Sequence, residues 1–279
     1  MYCGNVSLSV SSSKKWGIRM RDYLEVAVEA AKIGGDVLRQ GYRKAKEIEY
    51  KAEIDLVTQV DKRSEKLIVE WLTSRFPHHS ILAEEGTEIE RSQEFRWVID
   101  PLDGTTNYAH DYPLFGVSVA MEQNNQLIVG VVYNPVSEEL FVAEKGNGAY
   151  LNGRKIQVSQ VDKLRQALVS TGFPYELFKD LEDAMSYFTS FMKTAQGVRR
   201  DGSAALDLCY LAMGRTDGFW ERKLKPWDAA AGVLIVLEAG GTVTDFNGRD
   251  FSIYGDELLA SNGLIHDSMM AAIRNRNQS

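Results

Sequence analysis

The stretch "WVIDPLDGTTNYAH", residues 97–110, sets Asp100 and Asp103 three positions apart around a proline, with Gly104 and Thr105 next in line. Two like charges at close quarters cost free energy unless a cation or a basic side chain lies between them, or both face water. The apolar run "WVI" reads as a strand that delivers Asp100 to its carboxyl end. Pro101 fixes the chain there, Leu102 turns outward with its carbonyl exposed, and Asp103 lands beside Asp100. Gly104 has no Cβ and lets an anion approach the backbone closely. A helix starting in "TTNYAH" would add unpaired amides with a dipole behind them. The segment thus offers hard oxygen ligands and an anion cradle side by side.

Other carboxylates share this topology of strand end or helix start. Glu84 and Glu85 follow the apolar "ILA", Asp228 opens the helical run "WDAAAG" after Pro226, and Asp55 and Asp61 lie six apart in "DLVTQVD". Taken singly, Asp228 reads as a helix cap, Glu84-Glu85 as solvated loop charges, Asp61 as a cap and Asp55 as a turn residue. Asp100 and Asp103 resist such a reading. Ligand oxygens of this kind suit Mg²⁺ or Mn²⁺ and not soft metals.

The elements that must position these groups follow from periodicity. Helical spacing predicts a helix from Asp22 to about Tyr42 and a second from about Asp61, with Leu67, Ile68, Trp71, Leu72 and Phe76 as its buried face. "ILAEE" and "RWVID" read as short buried strands. From Phe115 to Ser159 the period becomes two, which predicts an antiparallel meander with a hairpin at Asn152-Gly153. Beyond it come a strand at "LVSTGFP", a helix over 183–193, a helix from about Ser203 to Met213, a strand "DGFWE" and the "WDAAAGVLIVLEAGG" helix, closed by glycines. A hairpin at Asn247-Gly248 and a helix from about Ile265 complete the pattern. The division expected is an irregular lead-in over 1–21, an α+β half over 22–159 and an α/β half over 160–279.

With 279 residues the chain can bury a large core. Its net charge of −7 argues against a generic nucleic-acid binder, which needs a basic surface, although Lys14, Lys15, Arg19 and Arg21 form a small basic patch. No apolar run reaches the length of a membrane span. Cys3 and Cys209 read as free thiols in a reducing compartment, hence a cytoplasmic protein. His78 and His79 lack a partner pair at zinc-ligand spacing and read as loop residues. The first nineteen residues have no acidic side chain and faintly resemble a transit peptide, but lack its amphipathic helix. They read as a lead-in, or as a start set too far upstream of Met20.

The motif D-P-x-D-G-T-T-N, with "AEEG" upstream and "KPWDAAAGVLIVLEAGG" downstream, resembles the inositol monophosphatase family of Mg²⁺-dependent, lithium-sensitive phosphatases from about Asp22 to the C-terminus. "GVRRDGSAALDL" and "DGFWE" are similar to its bacterial-type members. The resemblance implies a layered αβαβα sandwich of the inositol monophosphatase and fructose-1,6-bisphosphatase type. It implies two to three Mg²⁺ ions, with Mn²⁺ as a substitute. Glu84, Asp100 and the carbonyl of Leu102 would hold the first ion. Asp100, Asp103 and Asp228 would hold the second, and Glu84 would face a weaker third. Asp61 and Thr105 would aim the attacking water, which makes Thr105, Asp61 and Glu84 the catalytic set. The backbone amides of Gly104 and Thr105 would meet phosphate. Gly202, Ser203 and Ala204 would line the sugar side, with Ser203 where some relatives carry threonine, and Glu221 would contact substrate hydroxyls. Lys51 matches a basic residue near the site, at a spacing to Asp55 one shorter than in some members.

The activity so implied is hydrolysis of inositol 1-phosphate to inositol and phosphate by metal-activated water, in a homodimer that engages neither membrane nor nucleic acid. Relatives with similar motifs act on fructose 1,6-bisphosphate, histidinol phosphate, sugar 1-phosphates or nucleotide 3′-phosphates. Some have a regulatory role as partners of the transcription machinery. A metal-dependent nuclease is the rival chemistry, and it would need a basic groove that this acidic chain does not announce.

Overall fold

A computed structural model describes residues 20–44, 48–50, 56–173 and 181–276. Cys3, Lys14, Lys15, Arg19, Lys51 and Asp55, together with most of the expected lead-in, lie outside the described residues.

The chain opens with helix α1 (Met20–Gly41), a short hairpin β1 (Ile48–Tyr50) and β2 (Leu56–Thr58), and helix α2 (Gln59–Arg75). Strands β3 (Ser80–Ala83), β4 (Glu88–Ile89) and β5 (Phe95–Asp103) lead into the one-turn helix α3 (Thr105–Ala109). The meander follows as β6 (Gly116–Gln123), β7 (Gln126–Asn134), β8 (Glu139–Glu144), β9 (Gly148–Leu151) and β10 (Arg154–Lys155). Then come β11 (Leu168–Thr171), α4 (Leu181–Thr194), β12 (Gly197–Arg199), α5 (Ala204–Ala212) and β13 (Gly218–Arg222). The last elements are α6 (Pro226–Glu238), β14 (Thr242–Thr244), β15 (Glu257–Ser261) and α7 (His266–Arg274).

Two sheets organise these elements. The first runs β10-β9-β8-β7-β6-β5-β3-β4, parallel only between β3 and β5. The second runs β12-β11-β13-β15-β14, parallel across β12, β11 and β13 and antiparallel beyond. Period-two side chains sort the layers. In β5, Trp97 and Ile99 pack with α1 and α2, while Val98 packs with α5 and α6. In β13 and β15, Phe219, Leu258 and Ala260 join the α5–α6 core, while Trp220 and Leu259 face Phe191 of α4 and Met269 of α7. The layers are therefore helix, sheet, helix, sheet, helix, the expected αβαβα sandwich. The central pair α5 and α6 is almost entirely buried because both sheets cover it.

Several local expectations are corrected. Strand β5 continues through Pro101 to Asp103, because a bulge between Asp100 and Asp103 absorbs the residue that cannot pair. Leu102 does not turn outward: its side chain is 1% exposed and joins the α1–α2 core. The buried stripe of α2 contains Asp61, Ser64 and Glu65 with Ile68 and Leu72, whereas Leu67 and Trp71 are half-exposed. Asn152 and Gly153 both take positive φ, as a two-residue hairpin turn requires. The hairpin at Asn247-Gly248 is reduced to a single bridge, Thr244 to Asp250. His79 is no plain loop residue. It is buried, stacks between Phe76 and Phe95, and its desolvated ring is held near pKa 4.

Candidate active site

The predicted residues arrive from six places in the fold. Asp61 lies in the first turn of α2, and Glu84 follows β3. Asp100, Leu102 and Asp103 end β5, and Gly104 and Thr105 open α3. Gly202, Ser203 and Ala204 lead into α5, while Glu221 sits on β13 and Asp228 in the first turn of α6. Gly104 turns the chain at φ 91, and a Cβ there would lie 2.9 Å from the carbonyl of Leu114. Only glycine allows that turn without strain. Helix α3 is five residues long, so any anion site there rests on its first-turn amides and not on a substantial dipole.

Each of the three aspartates is tied to the backbone through one oxygen. Asp100 Oδ1 accepts from Leu102 N at 2.9 Å. Asp103 Oδ2 accepts from Ser203 Oγ at 2.5 Å and from Ala205 N at 2.9 Å, so it caps α5 across the sheet boundary. Asp228 Oδ2 accepts from Lys225 N at 2.7 Å, which makes it a cap of its own helix as well. The Ser203 hydroxyl is thus turned to Asp103. Thr105 Oγ1 lies 3.2 Å from Asp61 Oδ1 and 3.1 Å from the carbonyl of Leu102.

The electrostatics are those of carboxyls pressed together. Burial first, and then Glu84, Asp103 and Asp228, push Asp100 well above the usual carboxylate range. Asp103 is raised to about 6 by burial, against the pull of the Ser203 hydroxyl and the amides at the start of α5. Asp228 keeps some exposure as a residue, but its carboxyl is desolvated and is lifted too, with Lys225 opposing. The charged groups that act most strongly on Asp100, among the described residues, are all carboxyls. Among the described residues no three His, Cys, Asp or Glu side chains close into one metal cage. What the fold supplies is a convergence of four carboxyls, an all-oxygen donor set that fits a hard divalent cation such as Mg²⁺.

The sequence reading missed three residues. Glu65 is buried on α2 and accepts from Glu85 N at 2.7 Å, Thr87 N at 3.1 Å and Thr87 Oγ1 at 2.6 Å, which fixes the loop that carries Glu84. Its spacing of four from Asp61, on the same helix face, was the available signal. Asn107 donates to the carbonyls of Leu114 and Asp201 at 2.6 and 2.8 Å and so ties α3 to the loop before α5. Asp207 is buried on α5, and its Oδ1 has no hydrogen-bond partner among the described residues. Glu65→Ala is expected to raise the Mg²⁺ concentration for half-maximal activity by roughly 10–100-fold, the usual effect of losing a group that orients a metal ligand. A metal titration at constant substrate checks this, and an unchanged midpoint would remove Glu65 from the site.

One cleft gathers Asp103, Gly104, Gly202, Ser203, Ala204, Glu221 and Asp228, with Gly172, Phe173, Arg200 and Asp207 in the same wall. Asp100 and Glu84 do not line this cleft but are coupled by charge to its Asp103 and Asp228, and the Thr105–Asp61 pair follows directly on Gly104 of its wall. A cavity of about 480 Å³ between β6, β7 and α6 is larger but contains none of these residues, so size alone would select the wrong place. Among the described residues, neither the cysteine nor the buried Ser–His pair lines the cleft. Cys209 is buried with its thiol pushed up by desolvation. The Ser261–His266 pair, 2.9 Å apart, is buried outside the cleft, and the other ring nitrogen meets Thr244.

The profile of the inositol monophosphatase family matches residues 19–279. An inositol-1-monophosphatase of Synechocystis sp. is 43% identical over 256 residues, which cover 91% of this chain and 89% of that protein. The Nus factor SuhB of Vibrio cholerae is 42% identical over 245 residues, 87% of this chain and 92% of its own. The crystal structure of the extragenic suppressor protein suhB from Bartonella henselae matches with a TM-score of 0.87 at 39% identity, covering 90% of this chain and 98% of that one. With the D-P-x-D-G-T-T-N motif at the end of β5 and the W-D motif opening α6 in one cleft, the chain belongs to the inositol monophosphatase family.

Proposed function

We propose that the chain is a Mg²⁺-dependent phosphomonoesterase that hydrolyses inositol 1-phosphate to inositol and phosphate. The observation that carries the proposal is the convergence of Glu84, Asp100, Asp103 and Asp228 beside the Thr105–Asp61 pair, with Glu221 in the same cleft. Glu84, Asp100, Asp103, Asp228 and the carbonyl of Leu102 would hold two to three divalent ions. When bound, such ions neutralise phosphoryl oxygens and favour deprotonation of the attacking water.

The remaining work falls to side chains and amides. Thr105 has one hydroxyl proton, and when Asp61 takes it in a hydrogen bond, the threonine's lone pairs can accept from a water. Asp61, buried at 1% exposure, is positioned to receive that proton onward. The first-turn amides at Gly104 and Thr105 orient the phosphate. Gly202, Ser203 and Ala204 border the alcohol, and Glu221 accepts its hydroxyl protons. Fructose 1,6-bisphosphate, histidinol phosphate and nucleotide 3′-phosphates are the alternative alcohol halves of the same chemistry.

Among the described residues no helix is long and apolar enough to cross a membrane. A cytoplasmic location and a homodimer belong to the proposal, as does the division of the chain near Ser159. A regulatory reading, contact with the transcription machinery, stands beside it because a relative at 42% identity is named a Nus factor. It would use the surface and not the carboxylates, so it would survive loss of catalysis.

Phosphate release from a panel of phosphomonoesters is expected to require Mg²⁺, to stop with EDTA, to fall with lithium and to be fastest for inositol 1-phosphate. Release that is indifferent to EDTA would overturn the metal assignment. A clear preference for another ester would replace the substrate.

A further inference from the structure

Glu221 has an unusual setting for a residue that must meet a ligand. It is 8% exposed, on β13, and its carboxyl makes no hydrogen bond among the described residues. Burial pushes it well above the usual carboxylate range, Asp228 and Asp103 push further, and only Arg200 opposes. A buried carboxyl that no donor fixes must be held by packing, or it will turn to the nearest cation.

The packing is visible at Gly172, just after β11, which pairs in parallel with β13. A Cβ built on Gly172 would overlap Oε1, Oε2 and Cδ of Glu221. Gly172 does not take positive φ, so its backbone would accept an alanine. The three atoms nearest to such a Cβ all belong to the Glu221 carboxyl, which lies flat against the glycine. All three overlaps fall on the far end of a long side chain, so the carboxyl, and not the backbone, is what an added methyl would move. Of the described residues lining the cleft, Arg200 alone is positively charged, and it gives a displaced carboxyl somewhere to go.

We propose that Gly172 is a positioning residue that determines specificity: it is the seat on which Glu221 rests, and through Glu221 it sets the preference among alcohols. This deepens the reading of Glu221 as the residue that meets the substrate's hydroxyls, and rests on it. The atoms nearest to a Cβ on Gly172 belong to Glu221, so the effect on the alcohol is expected to exceed any effect passed by charge to Asp103 and Asp228.

The test compares kcat/KM for inositol 1-phosphate with that for p-nitrophenyl phosphate, whose leaving group has no hydroxyl for Glu221 to meet. In Gly172→Ala the ratio is expected to fall by roughly ten- to a hundredfold, the range for losing a hydrogen bond to a charged group, carried mainly by KM for the polyol ester. Glu221→Asp shortens the side chain and relieves the overlap. The double variant Gly172→Ala with Glu221→Asp is therefore expected to discriminate better than the product of the two single losses. A crystal structure of Gly172→Ala is expected to show the carboxyl displaced. An unmoved carboxyl, an unchanged ratio, or losses that simply multiply would each overturn the proposal. Wild-type protein that cleaves p-nitrophenyl phosphate but no polyol phosphate overturns the substrate reading instead, and the crystal structure still decides whether the seat exists.

Discussion

Asp100→Asn is expected to lower turnover by about a thousandfold or more while the fold stays intact. Asp100 is the carboxyl on which the others act: Glu84, Asp103 and Asp228 all press on it, and it is 1% exposed at the bulge of β5. As the bridging ligand it would serve both ions, and several kcal/mol of transition-state charge stabilisation, at ~1.4 kcal/mol per decade of rate, are lost with it. Asparagine keeps the size and can still accept from Leu102 N, so the backbone tie survives. Stability should move the other way. In metal-free buffer the wild-type chain keeps the proton on Asp100 above the usual value of 3.8, so its folding is weakened as pH rises past that point. The variant has no such charge to bury and should melt higher than wild type at neutral pH. Excess Mg²⁺ should reverse that order, because a ligand that binds only the folded state stabilises in proportion to its affinity. Steady-state phosphate release and paired melting curves, with and without Mg²⁺, check both halves. Near wild-type turnover would sink the bridging assignment.

That opposition explains why the site was legible when much of its support was not. A strand end that carries two aspartates around a proline is costly without a cation, so the sequence itself shows that something must compensate. Period two in "FGVSVAMEQ" and the apolar run "AAAGVLIVLEAGG" made the strands and the buried helix legible, whereas their stacking into five layers was implied by the resemblance to the family. Glu65 is marked only by its spacing of four from Asp61, and Asp207 looks like an ordinary polar residue of a helix. Their burial is decided by neighbours distant in sequence, the Glu85–Thr87 loop for one and the cleft wall for the other. The direction of Leu102 is not legible locally, because pairing within the sheet sets it. The pleat of β5 carries its side chain into the core, while its carbonyl accepts from Thr105 Oγ1 at 3.1 Å. His79 misled for want of any local pattern, since the rings that enclose it come from α2 and β5.

Thr105→Val is the second large effect, about a hundred- to ten-thousandfold in kcat, the range expected when a positioned proton acceptor is lost. Valine matches threonine in shape and keeps the start of α3, so the loss isolates the hydroxyl. That hydroxyl stands between two acceptors, Asp61 Oδ1 at 3.2 Å and the carbonyl of Leu102 at 3.1 Å, and has a single proton to give. If it gives the proton to Leu102, its role is to fix the bulge. If it gives it to Asp61, the pair forms a path for a proton leaving the attacking water. The two roles separate in the double variant. A proton path is broken once by either change, so Thr105→Val with Asp61→Asn should be hardly slower than the worse single variant. Two independent structural roles would multiply instead. The Mg²⁺ midpoint should stay close to wild type in Thr105→Val, because the threonine supplies no ligand, whereas loss of the bulge would weaken it through Leu102. Thr105→Ser should restore most of the rate, since it returns the hydroxyl without the methyl. A valine variant with wild-type kcat would remove Thr105 from the chemistry.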